Sequence, residues 1–122
     1  MKVKHYFLVG AAKAGTSWVD SCLRESVEVA LPFTKETNFF YGESAIDPQC
    51  YHSLFSSSVL KETKKTFESC PAYMIQQECP RKLKEFDPGA EILFVFREPV
   101  ARAYSHYCMY YRGGVTRKHP EE

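Results

Sequence analysis

The chain has 122 residues, room for one modest domain and too few for two. Its residues are 44% hydrophobic and 15% aromatic, ample for a packed core, and nothing in the sequence suggests disorder, low complexity or an internal repeat. Sixteen basic and fifteen acidic residues leave a formal charge of +1, a balance that argues against a general nucleic-acid or membrane-surface binder.

His5 to Val9 is an unbroken, mostly apolar run ended by Gly10, which predicts a strand buried on both faces. Ala11 to Gly15 is a loop of small residues around Lys13. From Thr16 or Ser17 a helix is expected, because Trp18, Cys22 and Leu23 recur at helical spacing behind a hydroxyl cap. Val27 to Leu31 alternates like a short second strand and stops at Pro32. Asp47-Pro48 opens a helix to about Phe55, with aspartate as cap and proline in the first turn, and serines 56–58 mark a break. Lys65 to Ser69 reads as a third strand, followed by the turn Cys70-Pro71-Ala72-Tyr73. Pro80 to Phe86 is a helix closed by Asp87-Pro88-Gly89. Glu91 to Phe96 is the clearest strand of all, and a helix from Val100 to about Tyr111 follows it and stops at Gly113-Gly114.

Strands alternating with helices predict an α/β fold, a P-loop-like three-layer arrangement around a mainly parallel central sheet. Ligands collect at the carboxyl ends of such strands, where both Lys13 and Arg97 fall. Five cysteines (Cys22, Cys50, Cys70, Cys79, Cys108) form neither a C-x-x-C pair nor a zinc-ligand spacing. Their odd number points to reduced, buried thiols in a cytoplasm-like compartment. Val3 to Gly10 is too short for a signal peptide and no stretch is long enough to span a bilayer, so no metal and no membrane segment are expected.

The first loop is suited to an anion. A helix N-terminus offers unpaired backbone N–H groups and the positive end of the helix dipole. Small residues let such a backbone close around a tetrahedral group. Lys13 adds a full charge, and Thr16 and Ser17 add hydroxyl donors. A Gly-x-x-x-x-Gly fragment by itself is equally an ordinary strand-to-helix loop. In a nucleotide-binding P-loop the lysine directly follows the second glycine; here Thr16 does, and Lys13 stands two places before Gly15. No separate aspartate run for magnesium is evident, which further weakens a nucleoside-triphosphate reading. After the last strand, Arg97 leaves the sheet's carboxyl edge, Pro99 fits a first helical turn, and Arg102 and Ser105 share a helix face. An arginine fork beside a hydroxyl makes a second phosphate site. Taken alone, this stretch is as well read as a surface helix.

Lys13-Ala14-Gly15-Thr16-Ser17-Trp18 resembles the Lys-x-Gly-Thr-(Thr/Ser)-Trp loop of sulfotransferases, which holds the 5′-phosphosulfate of 3′-phosphoadenosine 5′-phosphosulfate (PAPS). Arg97-x-Pro-x-x-Arg102-x-x-Ser105-x-Tyr107 resembles that family's 3′-phosphate motif. Lys35-Glu36-Thr37-Asn38-Phe39-Phe40 resembles the Lys-Glu-x-x-Phe-Phe segment of heparan-sulfate-type and many bacterial members, and Glu68-Ser69-Cys70-Pro71-Ala72-Tyr73 their Glu-Lys-(Thr/Ser)-Pro-x-Tyr segment. The four motifs stand in the family's order.

The resemblance implies transfer of a sulfuryl group from PAPS to a hydroxyl or amine of an acceptor, leaning towards carbohydrate. Such a reaction needs positioning, charge stabilisation and a base. It implies that Lys13 stabilises the oxygen bridging sulfate and phosphate, that Ala14, Gly15, Thr16 and Ser17 cradle the 5′-phosphate, and that Trp18 packs near adenine. Arg97 and Ser105 clamp the 3′-phosphate, and Glu36 is the catalytic base. Lys35 either assists the sulfate or neutralises Glu36. His52 and His106 are rival bases, and Ser69 replaces a lysine common in the family. The stripe Tyr104-Tyr107-Tyr110-Tyr111 has the spacing of core residues.

Residues 1–122 are expected to be the N-terminal portion of one sulfotransferase domain, incomplete at its C-terminus. Weak donor binding, self-association or a missing C-terminal segment follows from that expectation. The compartment is cytoplasmic for the chain as it stands, or the Golgi lumen for a fragment of a longer protein. A nucleotide kinase or NTPase and a truncated, non-catalytic nucleotide-binding remnant are the alternatives.

Overall fold

The structure is a computed structural model and describes residues 2–42 and 45–116. Strand β1 (Lys4–Leu8) lies in the middle of a three-stranded sheet, between β2 (Lys65–Ser69) and β3 (Glu91–Leu93). Both pairings are parallel, with Tyr6 opposite Phe67 on one side and Glu91 on the other. Parallel neighbours need crossovers. These carry α1 (Thr16–Arg24), α2 (Pro48–His52), α3 (Ser57–Thr63) and α4 (Cys79–Phe86), while α5 (Pro99–Arg112) follows β3. The α/β arrangement on a parallel sheet is therefore as the sequence predicts.

Strand β2 has the bounds read from the sequence, and β1 is displaced by one residue. The reading of Glu91 to Phe96 needs correction. Only Glu91–Leu93 form the ladder, and all of them are exposed. Pairing nevertheless continues beyond it, since Val95 N donates to Gly10 O and Ala11 N to Val95 O, each at 2.8 Å. The apolar run lies at the sheet's edge because β3 pairs with β1 alone among the described residues. The strand expected over Val27 to Leu31 is reduced to one bridge, Ala30 to Thr66, before Pro32.

The cap of α1 is not a hydroxyl: Gly15 occupies that place in the left-handed region, at φ 103°, with no side-chain hydrogen bond. Asp47 does cap α2, its Oδ1 accepting from Gln49 N at 2.9 Å, but the helix ends at His52, short of Phe55. Serines 56–58 start α3 with Ser56 as its N-cap residue, so the expected break is a helix start. Helix α5 begins at Pro99, and the Glu98 carboxylate accepts from Val100 N (3.0 Å) and Ala101 N (2.7 Å). No α5 residue is buried, so its tyrosine stripe is not core here. No helix among the described residues is long and apolar enough to cross a membrane.

The core holds a cluster of aromatic rings packed among aliphatic residues and cysteines. Phe40 has no exposed surface, and its ring is 5.2–5.7 Å from those of Phe7, Phe39, Tyr51, Tyr73 and Phe86. Edge-on and tilted contacts of this kind add to simple burial. Cys70 and Cys79 are buried and reduced, as expected, whereas Cys22 and Cys50 are exposed thiols.

A polar chain crosses the amino-terminal end of the sheet. His5 Nδ1 is 2.7 Å from Asp87 Oδ2, and His5 Nε2 is 3.0 Å from His52 Nε2. Burial, and then the nearby His5, hold His52 below its ordinary value of 6.5. A histidine depressed in the folded state favours folding above its unfolded value, and that contribution fades as pH falls through the folded one. His52→Gln retains an N–H for His5 without the titration. In urea unfolding, wild type should lose more stability than His52→Gln between about pH 7 and pH 5. Equal losses would dissociate His52 from the acid response. Burial pushes Glu68 up, an effect of opposite sign in acid that both proteins share.

Candidate functional site

The site grows from the carboxyl end of β1. Val9 N bonds to Leu93 O at 3.1 Å, and the two Gly10–Ala11–Val95 bonds extend that join, so the loop leaves the sheet locked to the β3 side. A Cβ added to Gly10 would come within 2.6 Å of Met74 Sδ and 3.0 Å of Met74 Cβ, so glycine lets the loop lie close to Met74. Ala14 N then folds back onto Ala11 O (3.3 Å), with Lys13 in the left-handed region at φ 61°. Gly15 follows at φ 103°, where a side chain is strained, and Val19 N bonds to its carbonyl at 3.2 Å. The N–H groups at the start of α1 are thus left without a side-chain cap.

Cations gather on this crest. Arg97 Nη1 donates to Lys13 O (3.3 Å), and Arg102 Nη1 to Ala12 O (3.5 Å) and towards His106 Nδ1 (3.3 Å). Arg97 and Lys13, 84 positions apart in sequence, are thereby joined in space. Lys35 Nζ donates to Ser17 Oγ at 2.9 Å and to Glu36 Oε1 at 2.7 Å. It serves Glu36 and the helix start together, where the sequence left two roles open. Thr16 is buried, Ala14 half-buried, and Ser17 and Trp18 are exposed, with the indole 72% accessible.

Glu36 stands beside this cluster, half exposed and at φ 57°. Ser105 lies on α5, half-buried, and among the described residues no hydrogen bond links it to Arg97 or the loop. Arg102 makes that link instead. Its spacing from Ser105 was legible; its reach back to Ala12 was not, because only the folded chain sets α5 against the loop. His52 lies at the opposite end of the sheet, bonded to His5, and is no rival to Glu36 as a base there. His106 is held by Arg102. Ser69 is buried at the end of β2, and its Oγ has no hydrogen-bond partner among the described residues.

Sequence reasoning missed the use of Glu68. This carboxylate is fully buried and accepts from Tyr51 OH and Tyr73 OH, each at 3.0 Å, and from Thr37 Oγ1. Its place at the head of the segment Glu68-Ser69-Cys70-Pro71-Ala72-Tyr73 was the available signal. No group of three or more His, Cys, Asp or Glu residues suited to a metal occurs among the described residues.

What this architecture defines is an α/β scaffold: a parallel sheet whose first strand leads into a helix start without a side-chain cap, with lysine and arginine beside it. No family model matches the chain. It is 30% identical over 101 residues to human heparan sulfate glucosamine 3-O-sulfotransferase 6, an alignment covering 83% of this chain and 29% of that protein. Membrane-associated sulfotransferase kil1 of Dictyostelium discoideum is 25% identical over 104 residues, 84% of this chain and 22% of its own length. The crystal structure of a sulfotransferase from Alicyclobacillus acidocaldarius superposes with a TM-score of 0.80 at 26% identity, covering 98% of this chain and 54% of that one. The chain is homologous to sulfotransferases and shares their α/β fold. It spans less than a third of the length of these curated relatives and about half of the solved structure.

Proposed function

We propose that the chain is the N-terminal, donor-binding portion of a PAPS-dependent sulfotransferase domain that acts on a carbohydrate. The observation that carries this reading is the meeting of Lys13, Arg97 and Arg102 at one loop that opens onto an uncapped helix start. Three cations from opposite ends of the sequence suit a donor with several anionic groups. The open N–H groups of α1 and the φ of Gly15 suit a tetrahedral anion held by backbone.

When bound, PAPS supplies an activated sulfuryl group. Ala14, Gly15, Thr16 and Ser17 hold its 5′-phosphate end, and Trp18 offers an exposed ring for adenine. Arg97 and Ser105 take the 3′-phosphate, with Arg102 as a third donor on the same side. Lys13 neutralises charge on the bridging oxygen as the S–O bond breaks. Glu36 takes the proton of the attacking acceptor hydroxyl or amine, and Lys35 orients that carboxylate while bonded to Ser17. The human and mouse relatives are named for heparan sulfate glucosamine, which favours a glycan acceptor.

Thermal unfolding with added 3′-phosphoadenosine 5′-phosphate (PAP) tests the donor assignment. A specific site at a hundred times its Kd adds about 2.7 kcal/mol to stability. PAP should raise the Tm of wild type, ATP with magnesium should not, and Arg97→Ala should abolish the rise. Stabilisation by magnesium-ATP instead would move the site to the NTPase class. Indifference to both would make the chain a non-binding remnant.

A further inference from the structure

Glu68 is a buried carboxylate that the mechanism above leaves unused. Glu68 lies opposite Phe7 in the β1–β2 register, with no exposed surface. Its Oε1 accepts from Thr37 Oγ1 and from Tyr73 OH (3.0 Å), and its Oε2 from Tyr51 OH (3.0 Å). Burial pushes its carboxyl up, and the hydroxyls of Thr37, Tyr51 and Tyr73 pull it back.

The polarity of these bonds continues outward. Phe39 N donates to Thr37 Oγ1 at 3.2 Å, and Phe40 N donates to Tyr73 OH at 3.3 Å. A hydroxyl has a single proton. Because Thr37 and Tyr73 give theirs to Glu68, their lone pairs face the amides of Phe39 and Phe40. Two parallel chains therefore run from amide to hydroxyl to one carboxylate oxygen. Both begin in the segment that carries Glu36.

That segment needs holding. Glu36 and Asn38 flank Thr37, and both adopt left-handed backbone, at φ 57° and 53°. Side-chain-bearing residues keep such shapes only where their surroundings enforce them. Glu36 is half exposed, and its side chain pairs with the neighbouring Lys35, which cannot fix the backbone on both sides. Thr37 reaches inward from between them, and its anchor is Glu68.

We propose that Glu68 is a positioning residue for Glu36, fixing the 36–40 segment through Thr37 and Tyr73. Glu68 touches no reacting atom in this scheme; it supplies the acceptor that orients two hydroxyls, and they fix the backbone. The inference rests on the reading of Glu36 as the base.

The test uses the full chain and two pairs of variants. Thr37→Val removes the hydroxyl at constant shape, and Thr37→Ser restores it. Glu68→Leu removes the acceptor, whereas Glu68→Gln can keep oxygen at the Oε1 place and turn its nitrogen to Tyr51. Amide exchange at Phe39 and Phe40 should accelerate about tenfold or more in the Val and Leu variants and return towards wild type in the Ser and Gln variants. Sulfuryl transfer to a glycan acceptor should fall about tenfold to a hundredfold in Thr37→Val, while PAP affinity stays within about twofold. Adding Thr37→Val to Glu36→Gln should cost nothing further, since the hydroxyl acts through Glu36.

Unchanged exchange in Thr37→Val, equal damage from Val and Ser, or losses that multiply in the double variant would each overturn the proposal. If Glu68→Leu does not fold, the Thr37 pair decides alone. A wild-type chain that fails to bind PAP would sink the functional reading, and the exchange data would still decide whether Glu68 holds the segment.

Discussion

Lys13→Ala should lower sulfuryl transfer by about a hundredfold to a thousandfold, the range for removing one preorganised stabiliser of developing charge. The geometry makes this a clean substitution. Lys13 already has φ 61° with a Cβ, so alanine meets no backbone demand that lysine did not. Its carbonyl, which Arg97 grips at 3.3 Å, is untouched. What leaves is the ammonium and its stem, from a crest where it has no ion-pair partner among the described residues. Calorimetry with PAP separates ground-state from transition-state loss. Weakened PAP binding together with slower transfer means that the charge serves both states; slower transfer at unchanged affinity assigns it to bond breaking. Transfer within threefold of wild type, on the order of measurement scatter in such comparisons, would remove Lys13 from the chemistry.

Phe40→Ala should destabilise the fold by about 3–5 kcal/mol, the cost of deleting a buried aromatic ring. Small domains have about 5–15 kcal/mol in total, so this change alone brings the chain close to unfolding. Five rings surround Phe40 within 5.7 Å, and they come from β1, α2, the 3-10 turn Pro71–Met74, α4 and the loop itself. So many walls cannot all move into the gap. The backbone there is fixed as well: Cys79 Sγ donates to Phe40 O at 3.2 Å and Tyr73 OH accepts from Phe40 N. Urea denaturation should show a lower midpoint at unchanged slope, with Phe40→Leu intermediate. A loss below about 1 kcal/mol would mean that the aromatic cluster repacks freely.

The sequence was most legible where local chemistry and burial agree. Lys65 to Ser69 carried its own end, because Pro71 forces a turn after the strand. Asp47-Pro48 signalled a helix start by a mechanism that the Asp47–Gln49 bond reproduces. Expectation failed where tertiary partners decide. The run from Glu91 to Phe96 promised the clearest strand, but apolar content does not tell an edge from a centre, and the ladder is confined to Glu91–Leu93. Val27 to Leu31 had the alternation of a strand without a partner along its length, so one bridge at Ala30 is all that forms. Ser56 to Ser58 read as a break, since serine suits loops and helix caps alike, and only burial of Leu60 chooses between them. In the candidate site, spacing revealed Lys13, Gly15 and Arg97 individually. The reach of Arg102 to Ala12 and the three hydroxyls on Glu68 depend on contacts between distant segments, which no local pattern encodes.

The order β2–β1–β3 has a consequence for how the molecule is made. The strand that becomes central is synthesised first, and both its neighbours come much later: Leu8 pairs with Ser69 and Leu93. At about 5–20 residues per second, translation leaves β1 without either partner for several seconds. Local helices can form in that interval, but the sheet cannot. The Gly10-to-Gly15 crest hangs from β1 and is held from the β3 side by Val95, Arg97 and Arg102. The segment made before β2 and β3 thus reaches its folded shape only after both, and a nascent chain halted before Val95 carries the loop sequence without the loop.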